Sequence, residues 1–402
     1  MLARILHIQN KKDIEEIFSS LLVHSYGIRI MQDKTMQYLI YLGPLVYSAC
    51  LILKQEMLSC GGDVAVPKNI LIGKSKKAYC VLIGNHSQYK RLLEKLKIQP
   101  FGLSEVTQLL DKIIHQENAD NYCIKCAKRQ IDIIKNKPLI MGIINITPDS
   151  FSGDGLANQN IETIIENCHR KISEGADILD IGGESTRPQA KPVDVKEELR
   201  RIIPVVRRIS QEIKIPLSVD TYKPQVAKEA LEAGANIIND VTGLCDPKMR
   251  KIIKQYRAGC IIMHMKGNPR TMQRNPTYKN VVNDIMSFFT KRIKIAMADG
   301  IDIDSLMIDP GIGFGKTLEH NLTILKYLAD FKTLGLPIVI GTSRKSFIGK
   351  IISQPPEGRL YGTIASCVWA ANQGANILRV HDVKAIQDAL KLTFAIKTAH
   401  YL

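Results

Sequence analysis

Short apolar runs and amphipathic stretches alternate along most of the chain after residue 138. The runs end in polar residues or glycine, and they cover residues 139–145, 178–182, 217–220, 237–240, 261–265, 306–309, 338–341 and 377–380. Between them, segments such as "VKEELRRIIPVVRRISQEI" repeat apolar residues every three or four positions, which is the spacing of a helix with one buried face. The pattern therefore predicts strands that are each followed by a helix.

Strands that lack polar alternation are covered on both faces, and strands that alternate with helices form parallel sheets. The eight apolar runs match the number of strands in a (β/α)8 TIM barrel. We therefore predict an α/β protein in which residues 137–402 form a TIM barrel. An open, doubly wound sheet is the alternative.

The first 136 residues follow a different pattern. "AYCVLIGN" precedes "SQYKRLLEKL", and "ARILHIQN" precedes "KKDIEEIFSSLL", so each pair predicts a strand followed by a helix. The uncharged segment 38–53 is 16 residues long and contains Gly43 and Pro44, whereas a membrane-spanning helix needs roughly 18–20 apolar residues. We predict a buried helix there, a smaller α+β domain of unknown role over 1–118, and a linker over 119–136.

The charge distribution and the cysteine content limit the classes of partner and the compartment that we expect. The net charge of +16 is spread along the chain rather than gathered in a tail, which favours small anionic ligands over nucleic acid. The nine cysteines form no disulfide framework, and only Cys123 and Cys126 have metal or redox spacing, without a second pair to complete a zinc site. We expect a cytoplasmic protein with reduced thiols and no membrane or nucleic-acid partner.

Polar side chains follow almost every predicted strand. In TIM barrels the carboxyl ends of the strands meet at one rim, where the active site lies. Asp220, Asn239 and Asp309 each end a strand, and their oxygens suit a flat, pterin-like ring that carries several N–H donors. Met263 and Phe314 supply apolar faces for such a ring. The sequence therefore predicts a heterocycle pocket at this rim.

Cationic side chains near the same rim indicate a second property of the pocket. Arg187, Lys345, Arg379 and His381 supply positive charge for a leaving anion. Asn145 supplies a neutral oxygen for a metal that bridges this anion. His264 is interpreted as a core or supporting residue rather than a ligand.

Eight ordered motifs make the chain similar to a known family. They are "MGIINITPDSFSGDG" (141–155), "DIGGESTRP" (180–188), "SVDT" (218–221), "IIND" (237–240), "MHMKGNPRTMQ" (263–273), "IDPGIGFGK" (308–316), "GTSRKSFIG" (341–349) and "RVHDV" (379–383). The chain resembles the dihydropteroate synthases, transferases of folate biosynthesis and targets of sulfonamides. The resemblance implies condensation of (7,8-dihydropterin-6-yl)methyl diphosphate with 4-aminobenzoate, a Mg²⁺ requirement and a homodimer.

The resemblance also implies roles for single residues. The pterin-binding residues would be Asp220, Asn239, Met263, Asp309, Gly341 and Lys345. The diphosphate would be bound by Arg187, Arg379 and His381, and by Asn145 through Mg²⁺. The aminobenzoate site would contain Phe151, Thr186, Pro188 and Ser346. The residues closest to the chemistry would be Asp154, Arg187, Asp309 and Lys345.

The mechanism implied by the resemblance needs no nucleophilic side chain. Diphosphate leaves first, and the weakly nucleophilic aromatic amine attacks the resulting pterin-methyl cation, which Asp154 and Asp309 favour. Two alternatives remain at this point. One is the pterin-binding barrel of corrinoid methyltransferases, and the other is a barrel that binds a pterin without catalysis.

Overall fold

The computed structural model describes residues 1–8, 11–117, 121–134, 137–147, 161–185, 192–268 and 271–399. The chain divides into an N-terminal unit, which starts at Met1 and reaches His115, and a second unit, Gln116–Lys397. No helix within these ranges is long and apolar enough to cross a bilayer.

The N-terminal unit is an α+β structure, as predicted. Its strands are β1 (Gln37–Val46), β2 (Asp63–Ala65) and β3 (Lys77–Asn85). Its helices are α1 (Lys11–Ser20), α2 (Ser25–Thr35), α3 (Tyr47–Ser59), α4 (Lys68–Leu71), α5 (His86–Leu96) and α6 (Leu103–Glu117). The strands form an antiparallel sheet in the order β1-β3-β2. Leu53, Leu82, Tyr89 and Leu96 are fully buried in its core.

Two local predictions for this unit were wrong. Residues 1–8 form neither strand nor helix. The segment predicted as one buried helix is a strand up to Val46, and α3 begins only at Tyr47. Along β1 the burial alternates, because Ile40 and Leu42 face the core while Leu39 and Tyr41 are exposed. Apolar residues on both faces of the strand hid this two-residue period.

The second unit contains a closed barrel of parallel strands. The strands are β6 (Leu139–Asn145), β7 (Ile178–Gly182), β8 (Leu217–Asp220), β9 (Ile237–Asp240), β10 (Gly259–Met263), β11 (Leu306–Asp309), β12 (Val339–Ile340) and β13 (Ile377–Val380). The order β11-β10-β9-β8-β7-β6-β13-β12 brings β11 and β12 to the two ends. A parallel bridge between Ile308 and Ile338 joins these ends. This closure confirms the TIM barrel and excludes the open sheet.

Helices cover the outside of the barrel. They are α7 (Ile161–Ser173), α8 (Val195–Glu212), α9 (Pro224–Glu232), α10 (Pro247–Tyr256), α11 (Val281–Ala298), α12 (Leu318–Lys326), α13 (Ser346–Ile352), α14 (Leu360–Asn372) and α15 (Val383–Thr398). Short 3-10 turns occupy Ile303–Ser305, Leu328–Leu334 and Pro356–Arg359. Outward residues such as Leu179, Val219 and Ile262 join the helices in one large core.

The inward-facing residues form an apolar layer below a more polar one. The apolar layer contains Met141, Ile178, Ile237, Ile261, Met307, Val339 and Ile377. Side chains alternate along a strand, so the next inward residue lies two positions later. Those positions hold Ile143, Asp180, Asn239, Met263, Asp309, Gly341 and Arg379. The alternation therefore places a set of functional side chains directly above the apolar layer.

A β-hairpin packs against the apolar layer. Its strands are β4 (Asn121–Cys126) and β5 (Arg129–Ile134), where the sequence predicted a linker. Ile124, Cys126, Ile131 and Ile133 are buried in the same cluster as the inward residues of the barrel. Cys123 is exposed while Cys126 is buried, because residues three apart on a strand face opposite sides. The two thiols are therefore not arranged as a metal or redox pair.

The hairpin offers a direct test of its contribution to stability. We expect Ile133→Ala, at a site 1% exposed, to lower the free energy of unfolding by about 2–5 kcal/mol, because it leaves a cavity in the core. Ile134 is 56% exposed on the same strand, so Ile134→Ala should change the stability by less than about 0.5 kcal/mol. Urea denaturation of both variants measures the difference, and equal effects would contradict a buried hairpin.

Candidate active site

Three residues of the predicted pocket and one glycine lie side by side at the carboxyl ends of neighbouring strands. Asn145 of β6 is level with Gly182 of β7, which is level with Asp220 of β8 and then with Asn239 of β9. A Cβ on Gly182 would lie 3.7 Å from the Asp220 Cβ and 3.9 Å from the Asn145 Oδ1. The absent side chain therefore leaves space between an amide and a carboxylate.

Arg379 reaches from β13 across the polar layer to two carboxylates. Its Nε donates to Asp180 Oδ2 at 2.5 Å, and its NH2 group donates to Asp220 Oδ2 at 2.8 Å. Asp180 is fully buried and Asp220 nearly so. Burial raises the pKa of Asp220 to about 7, against the opposing effect of the Arg379 charge. Sequence reasoning assigned this arginine to a leaving anion, but the geometry links it first to Asp180 and Asp220.

Asp180 was not singled out from the sequence, although it begins the "DIGGESTRP" motif. Its Oδ2 also lies 3.4 Å from the Asn239 Nδ2. Two residues before it, Ile178 faces the apolar layer. The two-residue period of β7 was therefore a signal that could have placed Asp180 in the pocket.

Several buried oxygens of this layer have no hydrogen-bond partner among the described residues. They are Asp180 Oδ1, Ser218 Oγ, Asp220 Oδ1 and Asn239 Oδ1. Buried polar atoms in folded proteins are nearly always hydrogen-bonded. Carboxylate and amide oxygens can only accept hydrogen bonds, so this side of the pocket suits a ligand edge that carries N–H groups.

Asp309 and Lys345 form the opposite side of the pocket. Asp309 ends β11 beside Met263 of β10, and its Oδ1 accepts from the Gly311 backbone N–H at 2.7 Å. Lys345 Nζ donates to the Ile312 carbonyl at 2.5 Å. Burial lowers the pKa of Lys345 to about 8, while the Asp309 charge opposes this change. Burial also raises the pKa of Asp309, and Lys345 opposes it.

A flat ligand ring would lie against apolar side chains and in the space that a glycine leaves open. Met263 is buried at the end of β10, and the Lys345 Nζ lies 5.0 Å from the centre of the Phe314 ring. A Cβ on Gly341 would lie 3.7 Å from Lys345 Nζ and 3.8 Å from Arg379 Cβ. Gly341 therefore keeps the space between the two cations open.

His381 directly follows β13, and Ser346 begins the helix that follows β12. The His381 Nδ1 is 2.9 Å from the Ser343 Oγ, and its carbonyl accepts from the buried Lys171 Nζ at 2.7 Å. Ser346 is the first residue of α13 and is exposed. These contacts fix the His381 backbone and ring, and they leave Ser346 at the surface of the rim.

Five predicted site residues lie outside the described residues. They are Phe151, Asp154, Thr186, Arg187 and Pro188. Glu184, two positions before Thr186, belongs to a cluster that the sequence did not reveal. The Lys223 ammonium bridges Glu184 and Glu198, and the Tyr222 hydroxyl donates to Glu184 at 3.1 Å. Both carboxylates are largely buried, so the chain is firmly anchored at Glu184.

His264 has a supporting position, as interpreted from the sequence. Its Nδ1 is 3.0 Å from the buried Lys316 Nζ, which also donates to the Phe314 carbonyl at 3.0 Å. Burial, together with the Lys316 charge, lowers the pKa of His264 to about 3. The neutral imidazole therefore holds Lys316 behind the loop that carries Phe314. Within the described ranges, no group of three His, Cys, Asp or Glu side chains is placed to hold a metal ion.

Comparison with known proteins identifies the family. The model of the pterin binding enzymes matches residues 141–381, which include every described residue of the pocket. The chain belongs to the pterin binding enzyme family. The dihydropteroate synthase of Synechocystis is 44% identical over 259 residues, which cover 64% of this chain and 89% of that protein. The family assignment agrees with the pocket, whose unpaired acceptors suit a pterin.

Two further relatives extend this result. A dihydropteroate synthase of Xanthomonas albilineans was solved with 4-aminobenzoic acid and is 43% identical to this chain. The two structures superpose with a TM-score of 0.65, and the match covers 69% of this chain and 99% of that chain. A probable bifunctional folylpolyglutamate synthase/dihydropteroate synthase of Halobacterium salinarum is 39% identical over 346 residues, which are 86% of this chain and 41% of that protein. This alignment is longer than the barrel unit, so it continues into the N-terminal unit.

The two shifted pKa values predict how pterin binding depends on pH. Below pH 7 Asp220 takes up a proton and loses an acceptor, and above pH 8 Lys345 loses its charge. We therefore expect the affinity for 6-hydroxymethylpterin to be highest between these values and to fall on both sides. Isothermal titration calorimetry at a series of pH values measures this profile.

Lys345→Arg separates the two limbs of this profile. Arginine keeps its charge at alkaline pH, so this variant should lose the alkaline decline and keep the acid one. An alkaline decline that is the same in both proteins would show that Lys345 does not cause it.

Proposed function

We propose that this chain is a dihydropteroate synthase that condenses (7,8-dihydropterin-6-yl)methyl diphosphate with 4-aminobenzoate to give 7,8-dihydropteroate and pyrophosphate. The proposal rests on one observation. Hydrogen-bond acceptors without partners among the described residues line the β8 and β9 side of the pocket, and a lysine lies on the opposite side. A pterin has N–H donors along one edge and a carbonyl oxygen on the other. The pocket has the complementary groups at both places.

The pterin ring is proposed to lie between Asp220 and Asn239 on one side and Asp309 and Lys345 on the other. The two aspartates and the asparagine accept from its amino and ring N–H groups, and the Lys345 ammonium donates to its ring acceptors. Met263 packs against its face. Each of these atoms is held by the end of a barrel strand or by a backbone contact, so the pocket is formed before the ligand binds.

The diphosphate is proposed to lie above the pterin, next to Asn145 and His381. Mg²⁺ prefers oxygen ligands and usually keeps bound phosphates and waters as its other ligands. The neutral Asn145 Oδ1 at the rim fits this preference as one ligand, and when bound the metal would neutralise charge on the diphosphate. Arg187 and Arg379 are proposed to add positive charge to the same group.

The chemistry needs positioning and electrostatics rather than a nucleophilic side chain. The bond between the pterin methylene carbon and the diphosphate oxygen breaks, and its electron pair leaves with the diphosphate. The amine of 4-aminobenzoate then forms the new carbon–nitrogen bond and loses a proton. Asp309 accepts hydrogen bonds from the N–H groups of the electron-poor pterin ring and so holds the ring in place. Asp154 is proposed to stabilise the cation from the first loop.

The aminobenzoate site is proposed at the outer rim. Ser346 lies there on α13, and Phe151, Thr186 and Pro188 are the other proposed residues. The Xanthomonas albilineans relative was solved with 4-aminobenzoic acid, which supports this ligand class. The anchored Glu184 gives the "STRP" segment a fixed starting point on the barrel.

The proposal is tested by pyrophosphate release from the purified protein. We expect release to require the dihydropterin diphosphate, Mg²⁺ and 4-aminobenzoate together, and a sulfonamide to inhibit it. Product analysis should show 7,8-dihydropteroate in an amount equal to that of the released pyrophosphate. Release that is independent of 4-aminobenzoate, or methyl transfer from methyltetrahydrofolate instead, would reject the synthase.

Two variants test the pocket within this assay. Lys345→Ala and Asp220→Ala should each lower kcat/KM by at least about a hundredfold, because they remove charged groups from a desolvated site. Lys350→Ala, which changes an exposed lysine on α13, is the matched control and should keep full activity. Circular dichroism checks that the variants are folded. Unchanged turnover in both pocket variants would contradict the site.

The N-terminal domain over residues 1–118 is proposed to act in stability or assembly of a cytoplasmic homodimer. The alignment with the Halobacterium salinarum protein continues into part of this domain. We expect a chain that begins at Gln116, and so keeps the hairpin, to lose stability or dimerisation. Size-exclusion chromatography and turnover of both proteins measure this. Full activity and the same oligomeric state in the shorter chain would reject the role.

A further inference from the structure

Asp180 is a buried carboxylate to which the proposed reaction gives no role. It lies in the middle of β7 and is fully shielded from solvent. Burying a charged group is costly unless it is paired and hydrogen-bonded. A hydrophobic residue at this position would continue the apolar layer that Ile178 begins, so packing alone does not call for an aspartate.

The contacts of Asp180 determine which end of the Asn239 amide group faces the pocket. The Asn239 Nδ2 is 3.4 Å from the Asp180 Oδ2. An amide has one donor end and one acceptor end, so a carboxylate that holds the NH2 group leaves the oxygen for a ligand. Asn239 Oδ1 is buried and has no partner among the residues that the structure describes.

The same carboxylate also orients Arg379. Asp180 Oδ2 accepts from the Arg379 Nε, and the guanidinium then reaches Asp220 Oδ2 through its NH2 group. This leaves Asp220 Oδ1 without a partner in the described part of the chain. Because Asp220 and Asn239 are level on neighbouring strands, the two remaining acceptors lie next to each other.

We propose that Asp180 is a specificity-determining positioning residue. By holding Asn239 and Arg379 it keeps this side of the pocket as a pair of acceptors. The pocket then selects a heterocycle with amino and ring N–H groups at this edge over one with a carbonyl oxygen there. The inference rests on the proposed function, because it explains how the same pocket recognises the pterin class.

The test compares two probes that differ in the substituent at C2 and, as a consequence, in whether the neighbouring N1 carries a hydrogen. 6-Hydroxymethylpterin carries an amino group at C2, and 6-hydroxymethyllumazine carries an oxygen there. In the wild-type protein the lumazine oxygen faces acceptors, so the pterin should bind more tightly. In Asp180→Ala the Asn239 amide is free to turn and to donate its NH2 group. The ratio of the two affinities should therefore fall by at least about tenfold, the equivalent of one hydrogen bond or one unpaired buried group.

A matched control separates this effect from general damage. Asp240 is also fully buried, and it lies next to Asn239 in sequence, but it accepts from the backbone N–H groups of Thr242 and Leu244. Asp240→Asn should lower stability and leave the affinity ratio within about twofold of the wild type. If Asp180 had only a structural role, Asp180→Ala would weaken the binding of both probes equally and leave the ratio of their affinities unchanged.

The outcomes are decisive in both directions. A reduced ratio in Asp180→Ala with an unchanged ratio in Asp240→Asn supports the inference. An unchanged ratio in folded Asp180→Ala overturns it, even when the wild type shows aminobenzoate-dependent pyrophosphate release. If the alanine variant does not fold, Asp180→Leu, which fills the space, is judged by the same ratio. A wild-type protein that binds neither probe and releases no pyrophosphate overturns the proposed function, and this inference with it.

Discussion

The alternation of side chains along short parallel strands is the constraint on which this barrel depends. Each strand contributes about two inward residues, one in the apolar layer and one in the layer above it. The apolar layer must be closed from below, and the hairpin of β4 and β5 does so with its buried isoleucines. The polar layer then lies directly on closely packed apolar side chains, which leave no space below it for its own side chains. Stability and chemistry are therefore divided between positions that are only two residues apart.

The polar layer contains more negative charge than its cations neutralise within contact distance. Asp180 and Asp220 share the single guanidinium of Arg379, while burial moves the pKa of Asp220 upwards and that of Lys345 downwards. Breaking such a buried network is costly, and replacing it by apolar residues often stabilises a protein. The network is therefore poorly explained by stability. It is explained by a ligand whose donors and acceptors complete it.

Much of the fold and the pocket could be predicted from the sequence. Eight apolar runs predicted the barrel because a strand that is covered on both faces has no polar alternation to obscure it. Asp220, Asn239 and Asp309 were accessible to the same reasoning, since each is the last or the penultimate residue of its strand. Gly341 depended on the family resemblance. Without it, nothing distinguishes this residue from an ordinary glycine.

Two of the predictions that failed, those for the segment before Val46 and for the hairpin, share one physical cause. The segment before Val46 was interpreted as helical because its exposed face carries Leu39 and Tyr41, so the sequence alone showed no alternation. The hairpin was interpreted as a linker because each of its strands is only six residues long and contains just two buried positions among polar or exposed residues. In both cases the burial that defines the element comes from partners distant in sequence.

Asp180 shows the same limit within the site. Its motif was recognised, but the residues of the motif that were predicted for the site, Thr186, Arg187 and Pro188, all follow the strand, where loops usually carry function. Its contacts with Arg379 and Asn239 join residues that are 199 and 59 positions away. No local pattern contains such information, yet the phase of β7 does: a residue two positions after an inward isoleucine must also face inward. The period of a strand can therefore locate a buried functional carboxylate even where no motif assigns it a role, provided that one inward neighbour on the same strand is known.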